Sequence, residues 1–411
     1  MQYFDFIIKE WRFLFFGIAL NFFSSTGQTF FISIFGAEFK KDFGLSDGDF
    51  GFLFMIATLL SALSLIWFGR LIDRIDIRIY TLFICLGSIF ASLSVSLATS
   101  TIMLCFSFYL LRLMGQGLMN HIAVTSMGKY FSTERGKAIG IITFGMTLGL
   151  AFYPSIGVSL NESYGWRDSW FYIAIFYSII LVPLMLWLLK GQKNRHKLYT
   201  EKLSIEVSND IKNSQYSVRS MLSEAQFYLT IPAILSSSFL LTGLLFHQVS
   251  IVESKNWSIS FFASGFVGLA LASLLTSLGI GVLIDKYKAI NLLPFILVPL
   301  LFGLFIINYF QSEFFGFVYL ICLGCCFGTT FTISGAIWPE LYGTKNLGAI
   351  KSLIKAIMVF GSALSPWVFG LVLDAGFGLL GVSYISVAII SLTSILAIIS
   401  RNIMINKLAQ Q

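Results

Sequence analysis

The motif GRLIDR at Gly69–Arg74 returns as GVLIDK at Gly281–Lys286, 212 residues further along the chain. The glycine and the aspartate keep their positions in both copies, and each copy follows a long apolar stretch. In so apolar a chain many identities arise by chance, but a repeated glycine and loop aspartate do not arise readily. The repeat therefore predicts two similar halves joined in parallel.

The composition indicates which kind of protein carries this repeat. Of the 411 residues, 57% are hydrophobic and 11% are charged, against about 25% charged in an ordinary soluble protein. A membrane-spanning helix uses roughly 20 apolar residues, so the chain has enough for roughly ten to twelve spans. This excludes a soluble enzyme, a nucleic-acid-binding domain and a disordered chain. We expect an all-α polytopic membrane protein.

Stretches nearly free of charge predict twelve transmembrane helices in two pseudo-symmetric six-helix bundles. The predicted spans are Trp11–Phe35, Asp49–Gly69, Ile79–Ala98, Ser100–His121, Ala138–Leu160, Ser169–Leu189, Gln226–Val249, Ser258–Leu283, Ile290–Tyr309, Phe314–Trp338, Gly348–Leu373 and Leu379–Ser400.

Charge placement gives the domain organisation. The segment Lys190–Glu224 holds seven basic and four acidic residues, and it separates six spans from six. We predict an N-terminal bundle at 1–189, a cytoplasmic linker at 190–225, a C-terminal bundle at 226–400 and a cytoplasmic tail at 401–411. With both termini inside, 22 of the 27 basic residues fall on the cytoplasmic side, as the positive-inside rule requires. Topology thus explains the net charge of +7, and no nucleic-acid partner is expected.

The extended loop GRLIDRIDIR resembles the signature of the major facilitator superfamily, with Asp76 at the place of the second glycine. The residues that match are Gly69, Asp73, Arg74 and Arg78 in the first half and Gly281, Asp285 and Lys286 in the second. RLMGQG resembles another element of the family through Arg112, Gln116 and Gly117. The resemblance covers nearly the whole chain. It implies the superfamily fold and transport by alternating access.

The repeated loop is a candidate gate. Its glycine permits close helix approach, and Asp73 with neighbouring basic residues is suited to an ion-pair cluster that forms in one state and breaks in another. The alternative is a basic loop that only sets topology and contains an incidental aspartate. The recurrence of the aspartate in the second half favours the gate.

Arg112 is the most informative single residue. It lies about 12 residues, or roughly 18 Å, into its predicted span. A guanidinium at that depth is costly unless it faces water or a partner, so it indicates a functional site. Gln116 follows one turn later on the same face. Substrate contact is one interpretation, and an arginine that staples helices 1, 2 and 4 through backbone carbonyls is the other.

The predicted mid-membrane region holds no acid, because all 20 acidic residues fall in loops or within about a turn of a helix end. An anionic substrate would satisfy Arg112, which favours a small organic anion such as a carboxylate. The stretches KYFSTERGKAIGI and WPELYGTKNLGAIKS also resemble the monocarboxylate and oxalate–formate branch of the superfamily. Helix 8 of this chain lacks the charged residue that this branch often has.

Other polar side chains complete the candidate site. Asn21, Ser25 and Gln28 have helical spacing along helix 1, which predicts a line of cavity-lining groups; helix–helix hydrogen bonding is the alternative. His247, near the outer end of helix 7, is a candidate for carrying a coupled proton. An interfacial hydrogen-bonding histidine is equally consistent with its position.

Glycine and proline recur in helices 5 and 11. Small residues permit close packing and proline permits a bend, so these positions are candidates for rocking of the two bundles, with plain packing as the alternative. They are Gly145, Gly149, Pro154, Gly361 and Pro366.

Together these features predict a secondary active transporter of a small organic anion, coupled to protons. The alternative is a drug or metabolite efflux pump of the same superfamily. No enzyme activity, cofactor or metal is expected, and the chain lacks a Walker-type phosphate loop. We expect a monomer in the bacterial inner membrane whose partners are the lipid bilayer, the substrate and H+.

Overall fold

The structure is a computed structural model that describes residues 2–131, 134–192, 218–343 and 347–409. Every regular element in these ranges is helical, and none of the described residues forms a strand. The prediction of an all-α polytopic protein is confirmed. Most of the predicted linker at 190–225 lies outside the described residues.

The chain divides into two compact units. Unit 1 comprises Met1–Phe43 and Ile56–Lys212, and unit 2 comprises Gly44–Met55 and Asn213–Gln411. One helix, Asp47–Phe68, therefore begins in unit 2 and continues in unit 1. The domain boundaries at 189, 225 and 400 stay predictions.

Unit 1 contains the helices of the first half. They are Gln2–Phe23 (α1), Thr29–Ile32 (α2), Gly36–Phe43 (α3), the shared helix Asp47–Phe68 (α4), Ile77–Ser96 (α5), Thr101–Leu111 (α6), Asn120–Tyr130 (α7), Arg135–Phe176 (α8) and Val182–Leu188 (α9). Polar residues cap two of them: the Asp76 carboxylate accepts from the Arg78 amide at α5, and the Ser100 hydroxyl accepts from the Met103 amide at α6.

An aromatic core joins the segment from α2 to α3 to α8. The Trp170 ring lies 5.5 Å from Phe31 and 5.3 Å from Phe35, measured between ring centroids, and the Trp166 ring lies 5.0 Å from Phe39. These separations are typical of favourable aromatic pairs. The short helices α2 and α3 are thus fixed by side-chain packing, although each is too short to be stable alone.

Unit 2 contains the helices of the second half. They are Val218–Leu222 (α10), Ala225–Phe246 (α11), Gln248–Ser254 (α12), Ile259–Ser264 (α13), Phe266–Tyr287 (α14), Ala289–Leu292 (α15), Val298–Tyr309 (α16), Phe314–Tyr342 (α17), Leu347–Asp374 (α18) and Gly378–Ala409 (α19). Helices α14 and α17 pack with their backbones close together, because a Cβ at Gly324 or Gly328 would collide with a carbonyl oxygen of α14.

Ten helices among the described residues are long and apolar enough to cross a membrane. The difference from twelve has two sources. The first helix, Gln2–Phe23, carries four charged residues in its first half (Asp5, Lys9, Glu10 and Arg12), and the helical run is interrupted after Phe23, so it is not apolar enough to be counted. Predicted spans 5 and 6 join as one segment, Gly136–Leu188, within which Gly165 has a non-helical φ of 72°.

Many large apolar side chains on these helices face outward. Ile102 is 82% exposed, Val282 is 71% exposed and Tyr384 is 70% exposed. Soluble proteins rarely expose extended apolar patches, whereas lipid tails accommodate such side chains. The surface is that of a protein surrounded by a bilayer.

Candidate functional site

Arg112 lies inside unit 1, where its side chain is only 2% exposed. Its Nε donates to the Thr58 hydroxyl at 3.1 Å, and its Nη1 donates to the Gly27 carbonyl at 3.1 Å and to the Thr29 hydroxyl at 3.3 Å. The guanidinium therefore connects α4 with the interrupted part of helix 1. In this conformation Arg112 has the stapling geometry that was the alternative to substrate contact.

The backbone is irregular on both sides of this arginine. Helix 1 passes from α1 into a 3-10 turn at Ser24–Gly27 and an extended residue, Gln28. Helix 4, the fourth predicted span, comprises α6 and α7 and adopts a π-helix between them at Arg112–Met119. π-Segments and interrupted spans occur in membrane proteins where a helix borders a functional cavity. We take the junction of these two segments as the candidate site.

Two glycines allow the irregular segments to touch. A Cβ on Gly115 would lie 2.8 Å from the Gly27 Cα, and a Cβ on Gly27 would collide with the Leu111 carbonyl oxygen. No residue other than glycine fits this contact without displacement of the backbone. The contact brings the Gly27 carbonyl within reach of the guanidinium.

A second polar layer lies beside the first. Asn120 donates to the Asn21 side-chain oxygen at 3.0 Å, and Asn21 donates to the Ile142 carbonyl at 2.8 Å. Asn21 is 1% exposed. These bonds tie α1, α7 and α8 together, which is the helix–helix role that was the alternative to cavity lining.

The other predicted polar residues lie at the junction itself. Ser25 is buried, and its hydroxyl has no hydrogen-bond partner among the described residues. Gln28 and Gln116 are half-buried and flank the two glycines in sequence. The prediction of one helical line through Asn21, Ser25 and Gln28 is wrong, because α1 ends at Phe23 and Gln28 is extended. Their contact with substrate stays a prediction.

Sequence reasoning missed several neighbours of the site, among them Thr26, Thr29, Thr58 and Tyr177. The Tyr177 hydroxyl lies 2.8 Å from the Thr26 hydroxyl and 2.6 Å from the Phe23 carbonyl oxygen. Tyr177 also begins a π-segment that ends at Leu181. A tyrosine or threonine in an apolar run is a weak signal, because either residue is common in helix packing.

The loop motif is attached to helix 4. Most of the motif forms the 3-10 turn Gly69–Asp73. The Gly69 carbonyl oxygen lies 3.1 Å from His121 Nε2, and the Ile72 carbonyl oxygen accepts from Lys129 Nζ at 3.2 Å. The Asp73 side chain lies outside the described residues, and Arg74 is exposed. The gating role therefore stays a prediction.

The rest of the motif occupies the ends of two helices. Arg78 pairs with Asp76, with Nη2 and Oδ2 2.9 Å apart, at the start of α5. The second-half residues Gly281, Asp285 and Lys286 all lie on the last turns of α14, where Asp285 and Lys286 are exposed. The aspartate at the place of the second glycine thus serves as a helix cap.

The candidate rocking residues are in close contacts. A Cβ on Gly145 would collide with the Ile18 carbonyl oxygen, one on Gly149 with the Ser25 hydroxyl, and one on Gly361 with the Leu235 side chain. Pro154 lies within α8 and Pro366 within α18. These contacts fit close packing, and a role in rocking stays a prediction.

His247 belongs to unit 2 and lies apart in sequence from the polar junction of unit 1. It is 4% exposed; its Nε2 lies 2.8 Å from the Pro366 carbonyl oxygen and its Nδ1 lies 3.6 Å from Asp47 Oδ1. Ser250 also donates to Asp47 Oδ1, at 3.0 Å. The predicted proton carrier thus faces a carboxylate that the sequence did not indicate.

Fold and site define a polytopic helical membrane protein with an interrupted helix at a buried arginine. The chain belongs to the Major Facilitator Superfamily, whose family model matches residues 14–366. It is a membrane transporter of that superfamily.

Relatives extend over most of the chain at low identity. The chain is 21% identical over 367 residues to a nitrite extrusion protein of Bacillus subtilis (strain 168), covering 88% of this chain and 87% of that protein. It is 24% identical over 398 residues to an uncharacterized MFS-type transporter, YcxA, of the same organism, covering 93% and 92%.

Solved structures share the fold. A bacterial homologue of the human lysosomal transporter Spinster, in an inward-facing and occupied conformation, superposes with a TM-score of 0.62 at 16% identity. The match covers 98% of this chain and 96% of that one. The inward-facing and unoccupied form gives a TM-score of 0.63 at 16% identity, with coverage of 97% and 96%.

Proposed function

We propose that this transporter moves a small organic anion, a carboxylate, across the bacterial inner membrane by alternating access together with a proton. Both termini face the cytoplasm in this proposal, and the monomer is the working unit. The two halves rock about the site, with the loops at 69–78 and 281–286 as gates.

The observation that supports the anion is the environment of Arg112. Its guanidinium is buried and donates to two hydroxyls and one carbonyl. These three acceptors are neutral oxygens. A carboxylate supplies the negative charge and accepts two parallel N–H bonds from the planar guanidinium. Anion binding would replace the Thr58 and Thr29 bonds by stronger charge-assisted ones.

The neighbouring polar groups complete the proposed substrate site. Ser25 has a buried hydroxyl without a described partner, and a ligand oxygen would satisfy it. Gln28 and Gln116 supply side-chain amides beside the contact between Gly27 and Gly115. Asn21 holds the neighbouring polar layer through its hydrogen bonds with Asn120 and Ile142. We propose that Ser25 and the two glutamines contact the part of the substrate that differs between carboxylates.

The relatives support the anion class and leave the particular anion open. One is named a nitrite extrusion protein, and nitrite, like a carboxylate group, is a planar anion with one negative charge shared by two oxygens. The resemblance of KYFSTERGKAIGI to the monocarboxylate and oxalate–formate branch supports an organic anion. Nitrite is therefore the informative comparison ligand.

Efflux of drugs or lipophilic metabolites is the second candidate. An aromatic cluster borders the helix 1 break: the Phe22 ring lies 5.1 Å from Tyr153, and the Phe31 ring lies 5.3 Å from the same tyrosine. Rings of this kind suit an apolar ligand. Cationic drugs, however, would meet the Arg112 charge, so this candidate requires neutral or anionic compounds.

A ligand panel on the purified transporter tests the proposal. Thermal unfolding is followed with monocarboxylates, dicarboxylates, nitrite, sugars and lipophilic cations. A ligand at 100 times its Kd adds about 2.7 kcal/mol of stability. We expect carboxylates to stabilise the wild type and to have no effect on Arg112→Gln. Stabilisation by lipophilic cations alone would contradict the proposal.

Two variants make the panel specific. Arg112→Lys keeps the charge and loses the planar fork, so we expect weakened but measurable carboxylate binding. Arg401→Gln is the matched control, because Arg401 donates to the Asn291 side chain in unit 2. Its ligand response should equal that of the wild type.

A further inference from the structure

The beginning of α4 is held within unit 2 by a compact polar cluster. Asp374 on α18 accepts from the backbone N–H of Asp47 at 3.0 Å and from that of Gly48 at 2.9 Å. A carboxylate in this position accepts from the free N–H groups of the helix N-terminus, and its negative charge interacts favourably with the positive end of the helix dipole. Ser250 on α12 donates to the side chain of Asp47 at 3.0 Å.

Close backbone packing surrounds this cluster. A Cβ on Gly51 would collide with the Pro366 carbonyl oxygen, and one on Gly370 would collide with the Asp47 carbonyl oxygen. The Phe50 and Phe246 rings stack with centroids 4.7 Å apart. The start of α4 is therefore fitted tightly against α11 and α18 within unit 2.

The hydrogen bonds of His247 determine where its proton lies. The Pro366 carbonyl oxygen can only accept, so Nε2, 2.8 Å away, must bear hydrogen. In a neutral imidazole Nδ1 would then present a lone pair to Asp47 Oδ1, 3.6 Å away. Two electron-rich atoms facing each other repel. The arrangement becomes attractive when Nδ1 also bears a proton, which makes an imidazolium–carboxylate pair.

We infer that His247 and Asp47 form a proton-binding site that holds the start of α4 in unit 2 and releases it when the proton leaves. This inference extends the proposed proton coupling to a particular pair of residues. The ligand is H+, and the bond formed is Nδ1–H on His247. Histidine is the side chain that ordinarily changes charge between pH 5 and 8.

The described charged groups near the pair lie on α4, on α18 and on the segment that follows His247. Asp47 faces the imidazole from α4, and Asp374 on α18 faces the backbone of α4. Asp49 on α4 accepts from Ser46. On the segment of His247 itself, Glu253 follows on α12, and Lys255 Nζ donates to the Asn308 and Phe310 carbonyls.

Hydrogen exchange of the purified transporter tests the inference without any substrate. Amide protection of residues 44–55 is measured by mass spectrometry at about pH 5.5 and about pH 8, relative to an unstructured peptide of the same sequence. We expect protection to fall about fivefold or more at the higher pH, as for loss of a partly exposed ion pair. Equal protection at both pH values overturns the inference.

Three variants identify the groups responsible. His247→Gln keeps a donor for Pro366 and cannot gain a charge, and Asp47→Asn keeps an acceptor for Ser250 without the charge. Both should abolish the pH difference. Asp374→Asn is the control: it should lower protection at both pH values and retain the difference. A pH difference that survives in both His247→Gln and Asp47→Asn also overturns the inference.

The outcome is separable from that of the proposed function. Loss of the carboxylate response in the ligand panel would remove the anion assignment and leave the exchange result intact. A flat exchange profile would remove the proton site and leave carboxylate stabilisation intact.

Discussion

At the scale of single residues, the arginine in helix 4 was predictable and its partners were not. A charge within a long apolar run identifies Arg112 from sequence alone, and the structure buries it. Its partners Gly27, Thr29 and Thr58 are 85, 83 and 54 residues away. No periodicity relates residues that far apart, so only the folded chain brings them together.

A pair of polar side chains between α3 and α8 lacks a hydrogen bond. Asn161 donates to Glu38 Oε1 at 2.7 Å, while Glu38 Oε2 and Asn161 Oδ1 are both buried without a partner among the described residues. Both unpaired atoms are acceptors when the carboxyl is ionised. A hydrogen on the second side-chain atom of residue 38 would let that atom donate to Asn161 Oδ1, so neither atom would be left without a hydrogen bond.

Glu38→Gln should therefore stabilise the protein at neutral pH. Its amide keeps an acceptor for Asn161 and adds a donor, and relief of a buried unsatisfied acceptor is worth about 1 kcal/mol or more. Thermal unfolding in detergent measures the change. Asp168→Asn, which alters an exposed acid on α8, the helix of Asn161, should leave stability unchanged. A lower unfolding temperature for Glu38→Gln would show that the ionised carboxylate is required.

At the scale of secondary structure, the apolar spans were predicted and the irregularities were not. Segments such as Phe314–Tyr342 follow from composition, since a long apolar run has few alternatives in a bilayer. The break in helix 1 did have a signal, because SSTGQT at 24–29 is rich in residues that favour turns. The π-segment of helix 4 had none, since RLMGQG is compatible with an α-helix.

The glycine contact between the irregular segments gives the sharpest prediction at this scale. Gly27→Ala places a Cβ against the Leu111 carbonyl, and Gly115→Ala places one against the Gly27 backbone. Each should lower stability by about 1–3 kcal/mol through overpacking and should abolish transport by displacing the Gly27 carbonyl from Arg112. Thermal unfolding and uptake in proteoliposomes measure the two effects.

Gly140→Ala is the matched control for these substitutions. Gly140 lies in α8, and a Cβ there would meet nothing within 4 Å. Alanine also favours a helix over glycine by up to about 1 kcal/mol. We expect unchanged or slightly higher stability and normal uptake. Equal losses in Gly27→Ala and Gly140→Ala would mean that the close contact is not what matters.

At the scale of the whole molecule, the internal repeat predicted two halves, and the chain divides into two compact units. The sequence did not predict that residues 44–55 belong with the second half. That assignment depends on Asp47, Gly48 and Gly51 meeting α11, α12 and α18, and these contacts join residues about 200–330 positions apart. A local sequence pattern predicts local structure and cannot predict contacts between residues this far apart.

The functional class follows from the whole molecule, while the substrate depends on a few side chains. Membership of the superfamily rests on residues 14–366, and low identity to the relatives leaves the cargo open. The anion assignment therefore depends on the Arg112 environment. A test of the central claim has to follow an anion across a membrane.

The most direct measurement is counterflow in proteoliposomes. Vesicles that contain the purified transporter are loaded with an unlabelled monocarboxylate, and entry of the labelled compound is followed with no ion gradient. We predict transient accumulation with the wild type, none with Arg112→Gln, and competition from nitrite at the outer surface. Wild-type vesicles that accumulate a labelled lipophilic cation and no carboxylate would contradict the account.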